Sequence, residues 1–144
     1  MSSHDPVVNH PLRPLYRALA LATGAFLVLF GALGLIETAG AALFARASAH
    51  ALGLQVNLAS AIVSLALGAV VLAVTLIGRN LDHKVNQWLG YGLFAVTSVM
   101  LALIQTDGNV LNFGIGNVIV LYSLGLVLLG AGLYSRVAPT AARA

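Results

Sequence analysis

The chain has 144 residues, of which 60% are hydrophobic and only 8% are charged, and its formal net charge is +3. An ordinary soluble domain carries about 25% charged residues, so this composition excludes a soluble protein and leaves room for one compact membrane domain. There is no cysteine, which excludes disulfides, thiolate metal sites and cysteine nucleophiles.

Charged residues and histidines are missing from four stretches of the chain. Two of these stretches, 51–78 and 108–135, are 28 residues long, and two shorter ones cover 18–36 and 85–106. A helix needs about 20 apolar residues to cross the hydrocarbon core, and backbone groups in lipid must be paired within their own segment. The sequence therefore predicts an all-α membrane domain over 15–135, with spans at about 15–36, 58–78, 85–105 and 113–134.

The basic residues predict the orientation of these spans. Six of the seven Lys and Arg residues fall on one side of the predicted topology, namely Arg13, Arg17, Arg79, Lys84, Arg136 and Arg143. Arg46, in the first loop, lies on the other side. The positive-inside rule then places the N-terminal arm 1–14 and the tail 136–144 in the cytoplasm, with the domain in a bacterial inner membrane. The cations are scattered, so we expect no nucleic-acid binding.

The first loop between spans, 37–57, is the only long one. Its middle part, 39–54, contains no proline and many alanines. At helical spacing one face is apolar, comprising Leu43, Phe44, Ala47, Ala51 and Leu54, while Arg46 and His50 lie opposite. This pattern predicts a short amphipathic helix on the membrane surface, and a lid or a partner-docking helix is the functional alternative.

Spans two and four read as copies of one sequence. At an offset of 57, Gly68 and Arg79 align with Gly125 and Arg136, and at an offset of 68 Gly24 of span one aligns with Gly92 of span three. These matches predict two helical hairpins related by a pseudo-twofold axis along the membrane normal. Chance matching within apolar helices is the alternative interpretation.

Small residues recur along the spans and predict close approach of helices. The candidate contact positions are Gly24, Gly31, Gly68, Gly92, Gly125 and Gly130. A cofactor slot against a glycine face is the functional alternative.

Amide and carboxylate side chains gather at the predicted outer ends of the spans. This outer polar cluster comprises Gln55, Asn57, Gln105, Asp107, Asn109, Asn112 and Asn117. The side chains could line an external vestibule or pair with backbone groups of the loops. All four histidines lie outside the spans, so we expect no haem, no metal site and no catalytic residue.

The arrangement resembles the bacterial membrane family known as domain of unknown function 4383. The resemblance covers about 17–134 and is strongest over 52–71, which begins Leu-Gly-Leu-Gln-Val-Asn and reaches Gly68. Members typically carry histidines near the starts of spans two and four, where this chain has Ser60, Ser64 and Leu121. The resemblance implies a four-helix membrane architecture and no particular activity.

These features favour a non-catalytic membrane protein that acts through helix contacts. We expect an accessory subunit of a larger membrane complex, or a homo-oligomer, with membrane lipids, other subunits or itself as partners. The alternatives are a carrier or channel for a small neutral molecule, and a protein that binds a lipid, quinone or pigment. No cofactor is predicted, although the sequence leaves such a bound molecule open.

Overall fold

The computed structural model describes residues 8–46 and 48–138, and these fold into four helices and one short β-hairpin. The helices are α1 (Arg13–Glu37), α2 (Leu58–Ile77), α3 (Leu81–Leu103) and α4 (Ile115–Tyr134), and the strands are β1 (His50–Ala51) and β2 (Leu54–Gln55). The prediction of a helical protein with four helices is confirmed, with each bound within about four residues of the predicted one.

Three of the described helices, α1, α2 and α4, are long and apolar enough to cross a membrane. The remaining helix, α3, is 23 residues long but falls outside this group. Polar residues such as Asp82, Asn86 and Gln87 occupy its first turns and lower its mean hydropathy. By composition and length, three of the four predicted spans could therefore cross a membrane.

The helices form two antiparallel pairs, α1 with α2 and α3 with α4, with smaller contacts between the pairs. The bundle of helices therefore has two ends. The end that carries residues 8–13, the turn 78–80 and residues 135–138 is called the termini end below. The opposite end, with residues 38–57 and 104–114, is called the loop end.

Glycines bring α1 and α2 into backbone contact. A Cβ atom added at Gly68 would lie 2.6 Å from the amide nitrogen of Val28 and 2.7 Å from the carbonyl oxygen of Gly24. A Cβ atom at Gly31 would lie 2.6 Å from the amide nitrogen of Leu65. None of these three distances is sterically possible for a Cβ atom, so the first hairpin depends on glycine at Gly68 and Gly31.

In the second hairpin, formed by α3 and α4, glycine also permits close contact between the two helices. A Cβ atom at Gly90 of α3 would lie 2.8 Å from the amide nitrogen of Leu129. At Gly125 of α4, by contrast, the nearest atom would be the Cβ of Leu93 at 3.4 Å, which is ordinary contact. Close approach in this pair therefore depends on Gly90 of α3 and on Gly132 of α4, because a Cβ atom at Gly132 would overlap the backbone of Gln87.

The buried positions of the two hairpins follow one pattern. At an offset of 57, six buried residues of α2 coincide with the six of α4, namely Ser60, Ala61, Gly68, Val71, Val74 and Thr75 with Asn117, Val118, Gly125, Leu128, Ala131 and Gly132. In α1 and α3 the coincidence occurs at an offset of 66, through Ala20, Gly24, Leu27, Gly31 and Gly34 with Asn86, Gly90, Leu93, Thr97 and Met100. Gly24 therefore corresponds in burial to Gly90, because Gly92 is exposed.

The core has two parts along the bundle. One part joins all four helices through Ala20, Val71, Leu93, Leu128 and Ala131. The other lies beneath the loop end and comprises Phe30, Ala51, Val56 and Ala61. The loop residues Ala51 and Val56 are thus part of the core, which explains why the first loop folds back onto the helices.

The predicted amphipathic helix over 39–54 is wrong. The described part of this segment forms turns and an antiparallel hairpin, in which His50 pairs with Gln55 and Ala51 with Leu54. The connecting residues Leu52 and Gly53 have φ of 49° and 79°, as a two-residue hairpin turn of type I′ requires. Ala47, on the predicted apolar face, lies outside the described residues.

The reason for the error is burial of the loop against the bundle. Ala51 is buried against the core, whereas Leu43 and Phe44 of the same predicted face are 44% and 55% exposed. The backbone amide of Val56 donates to the carbonyl of Ala49 (3.1 Å). A hairpin satisfies these backbone groups while it places Ala51 inward.

Candidate functional site

The structure brings most of the predicted outer polar cluster together at the loop end. Asn57, Asn109, Asn112 and Asn117 are all buried there. Gln55 is half-buried, and Gln105 and Asp107 are exposed. The four asparagines therefore face the protein interior, whereas the side chains of Gln105 and Asp107 face outward.

Asparagine amides join the two hairpins at the loop end. The Nδ2 group of Asn57 donates to the carbonyl of Val110 (2.7 Å), and that of Asn117 donates to the carbonyl of Gln55 (2.8 Å). Asn112 donates to the carbonyl of Val56 (3.2 Å). All three bonds cross from one hairpin to the other.

The remaining amide organises the second loop. Asn109 donates to the carbonyls of Ile104 (3.1 Å) and Phe113 (2.9 Å) and accepts from the amide of Phe113 (2.8 Å). Of the two interpretations of the cluster, pairing with loop backbone groups is the one that these bonds favour. A buried backbone group without a partner would cost about 1–3 kcal/mol.

A second polar cluster, at the termini end, was not predicted from the sequence. Asp82 is completely buried in the first turn of α3, and its Oδ2 lies 3.4 Å from Nη2 of Arg13 and 3.7 Å from Nε of Arg17. Arg17 also donates to the carbonyl of Thr75. A single carboxylate therefore connects α3 to α1, and Arg17 extends the connection to α2.

Other side chains extend this termini-end cluster along α3. Asn86, fully buried, donates to Oγ1 of Thr75 (3.0 Å), and Nδ1 of His83 lies 2.6 Å from the carbonyl oxygen of Gly132. Asn80 pairs with the backbone of Val137 in both directions (2.6 and 2.8 Å). The N-cap position of α3 is thus occupied by a residue whose side chain binds the chain after α4.

The sequence does contain a signal for the termini-end cluster, but a division of the chain into charge-free stretches does not show it. Asp82, Asn86, Gly90, Leu93 and Thr97 recur at spacings of four, four, three and four, which places them on one helical face. Since Leu93 is a core residue, the polar members at the start of the same face are buried too. The helix begins at Leu81, earlier than the predicted span.

The six predicted contact glycines divide into two groups. Gly24, Gly31, Gly68 and Gly125 lie inside the hairpins, while a Cβ atom at Gly92 or Gly130 would meet nothing within 4 Å. Three buried helical glycines that were not predicted also lie against neighbouring helices or loops, namely Gly34, Gly90 and Gly132. Most glycine faces are therefore used within the chain, and Gly92 and Gly130 alone of the predicted six are open.

Gly92 lines an apolar cleft of about 260 Å³ between α2 and α3. The walls are Val63, Ser64 and Leu67 on one side and Leu89, Gly92 and Val96 on the other, and the cleft reaches inward to Leu27 and Leu121. Val63 and Val96 are each 46% exposed, so the cleft opens sideways, toward what would be lipid in a membrane. Apolar cavities of about 150 Å³ already accept a benzene-sized guest.

A polar pocket of about 380 Å³ adjoins the loop end and includes Arg46, Gln55, Gln105 and Asn112. Phe113 lines both this pocket and the apolar cleft. Arg46 donates to the carbonyl of Thr106, and its Nη1 lies 3.5 Å from Oδ1 of the exposed Asp107. The residues that the structure describes contain no group of three or more His, Asp or Glu side chains placed to hold a metal ion.

Comparison with known proteins returns no match among protein-family models, curated proteins or solved structures.

Proposed function

We propose that this protein is a non-catalytic integral membrane protein that binds an apolar membrane molecule in the cleft between α2 and α3. The observation that carries the proposal is the cleft itself. Its wall is apolar except for Ser60 and Ser64, and Ser60 bonds to its own helix start at Asn57. Because an apolar guest would enter from lipid and not from water, its binding would depend on van der Waals packing against this wall.

In this proposal all four helices cross the membrane. The 23 residues of α3 would extend about 35 Å at the α-helical rise, against about 30 Å for the hydrocarbon core. Its polar residues Asp82 and Asn86 are fully buried, so they would be shielded from lipid. Its contact with α4 through Gly90 resembles that of two neighbouring spans.

The termini end would face the cytoplasm of a bacterial cell. Arg13, Arg17, Arg79, Lys84 and Arg136 all belong to this end, and Arg46 is the one basic residue of the loop end, as the positive-inside rule requires. A reporter active only in the cytoplasm should work when fused to either terminus. Activity of a periplasmic reporter at both termini would contradict this orientation.

A parallel repeat of two hairpins is part of the same proposal. It is supported by the shared burial pattern at offsets of 57 and 66, and by equivalent helix starts. The backbone amide of Asn57 donates to Oγ of Ser60 (3.0 Å), and that of Gly114 donates to Oδ1 of Asn117 (3.2 Å). The apolar cleft lies on only one side of the bundle, and it would then mark a place where the two hairpins differ.

A second candidate function is assembly with another membrane chain or with a second copy. The observation that favours it is a stripe on α4 in which Ile119, Ser123 and Leu126 are exposed and which continues to the half-buried Gly130. Gly130 has open space around it, and small residues in such stripes permit close helix contacts between membrane proteins. A carrier for a polar molecule is less well supported, because the cleft is apolar.

One pair of glycine variants separates these functions. Purified protein in a mild detergent, examined by native mass spectrometry, should retain a co-purifying lipid-sized molecule. Gly92→Leu should fill the cleft and abolish retention, with Gly92→Ala intermediate, while Gly130→Leu should leave it unchanged. Retention by Gly92→Leu at the wild-type level would refute the cleft, and dissociation of an oligomer in Gly130→Leu alone would favour assembly.

A further inference from the structure

The apolar cleft and the polar pocket are adjacent, since both are lined by Phe113. One is an apolar space that runs toward the middle of the bundle, and the other is a polar space at the loop end. We infer that together they bind one phospholipid with a zwitterionic headgroup, with an acyl chain in the cleft, the phosphate at Arg46 and the ammonium group beside Asp107. This inference rests on the cleft proposed above as the functional site.

Arg46 is placed to receive a phosphate. Its side chain is 46% exposed, and the bond from its guanidinium group to the Thr106 carbonyl holds it at the polar pocket. A guanidinium group offers five N–H donors in a planar arrangement that matches phosphate oxygens. Amide groups of Gln55 and Gln105 lie in the same pocket and supply further polar partners.

The ion pair with Asp107 does not prevent this role. Both groups are exposed, and exposed ion pairs contribute little to stability. A phosphate could therefore share the guanidinium group with the carboxylate at a small cost. The carboxylate of Asp107, 3.5 Å from Arg46, would then lie near a positively charged group on the same lipid.

The charges of the loop end favour a zwitterionic headgroup over an anionic one. Arg46 is its one Lys or Arg residue, whereas Asp107 and Glu37, the last residue of the adjoining helix α1, are both acidic. One positive and two negative groups give a net charge of −1, which disfavours an anionic lipid. A headgroup with one phosphate and one ammonium group matches the Arg46 and Asp107 pair charge for charge.

Exposed apolar side chains place the loop end at the membrane interface. Leu43, Phe44 and Leu52 are 44%, 55% and 45% exposed there. Such residues insert into the boundary between headgroups and acyl chains. The polar pocket would then lie at the depth of lipid headgroups, with the cleft below it at the depth of the chains.

The test is a competition between two phospholipids with identical acyl chains. Phosphatidylethanolamine and phosphatidylglycerol are titrated in equal amounts into delipidated full-length protein, and bound lipid is counted by native mass spectrometry. We expect one phosphatidylethanolamine for each chain in preference to phosphatidylglycerol. Arg46→Gln should weaken its binding about tenfold, the scale of one charge-assisted hydrogen bond, and Asp107→Asn should reduce the preference between the two lipids.

Arg136→Gln is the matched control, because it removes an exposed cation from the opposite end, and it should change neither affinity nor preference. Equal or stronger binding of phosphatidylglycerol to the wild type would overturn the inference. Unchanged binding by Arg46→Gln, with loss of binding in Gly92→Leu, would overturn the headgroup site and leave the cleft intact. Unchanged binding by Gly92→Leu would overturn both.

Discussion

The buried carboxylate of Asp82 lies 3.4 Å from the guanidinium group of Arg13, and this pair ties the start of α3 to the start of α1. Arg13 also donates through Nε to the carbonyl of Ser135 (2.8 Å), so the end of α4 joins the same cluster. The first hairpin and the second hairpin are thereby held together at the termini end by a fully buried charge.

Removal of this carboxylate should destabilise the bundle. Asp82→Ala leaves the partly exposed side chains of Arg13 and Arg17 without their buried partner, and the loss of hydrogen bonds to a charged group costs about 1.5–3 kcal/mol. The free energy of unfolding can be measured by SDS titration of the protein in mixed micelles, followed by circular dichroism. Asp107→Ala, which removes an exposed carboxylate, serves as the control and should leave the unfolding midpoint in place.

The two hairpins should respond differently to the same glycine substitution. Gly68→Ala puts a methyl group 2.6 Å from a backbone nitrogen of α1, and such overpacking costs about 1–3 kcal/mol. Gly125→Ala meets its nearest neighbour at 3.4 Å, so it should be neutral, or stabilising by up to about 1 kcal/mol because alanine favours the helix. The same SDS titration compares the two variants, and equal losses of stability would contradict the difference in contact.

Asn117 should be important for holding the hairpins together at the loop end. Asn117→Ala removes the donor to the Gln55 carbonyl and the acceptor for the amide of Gly114, which leaves two part-buried backbone groups unpaired at about 1 kcal/mol each. Ser123→Ala is the matched control, because the Ser123 hydroxyl only bonds to the Ile119 carbonyl of its own helix. Faster amide hydrogen exchange at residues 55–57 in Asn117→Ala alone is the expected result.

The hairpin turn of the first loop should be improved by one substitution. Leu52 has a φ of 49°, a left-handed conformation that costs a leucine about 1–2 kcal/mol, whereas Asn-Gly is the preferred pair for this turn. Leu52→Asn should therefore slow amide exchange at residues 49–56. Leu43→Asn provides the control, since Leu43 is equally exposed and its φ is not positive. Faster exchange in Leu52→Asn would show that the turn does not limit the hairpin.

The helices were predictable because their signals are local. The charge-free stretches and the polar residues beside them located α2 to within one residue at its end, and a capping side chain at Asn57 marks its start. The resemblance to domain of unknown function 4383 stays a prediction, since it implies only the four-helix architecture. The loop hairpin was less predictable, because the alanine-rich segment also has helical periodicity. Within this segment the only local residues that argue against a helix are Gly40 and Gly53, both of which have positive φ.

The candidate sites were predictable only in part. The loop-end amides are easily recognised as a group, but whether they line a vestibule or pair with backbone depends on where the opposite loop lies. Asp82 lies outside the predicted span 85–105, because its charge interrupts the hydropathy pattern. Its burial becomes visible only when Arg13 and Arg17 of another helix are brought beside it.

By itself, the sequence determined the four long helices, the apolar character that would let three of them cross a membrane, and the end at which the positive charges gather. These properties follow from side-chain transfer energies and backbone pairing, which depend on a residue and its near neighbours along the chain. The tertiary structure decided which glycines are consumed in contacts, which polar groups are buried, and that a cleft opens beside Gly92. Those properties depend on distances between residues far apart in the chain, and a periodic pattern along one helix cannot specify its rotation against another.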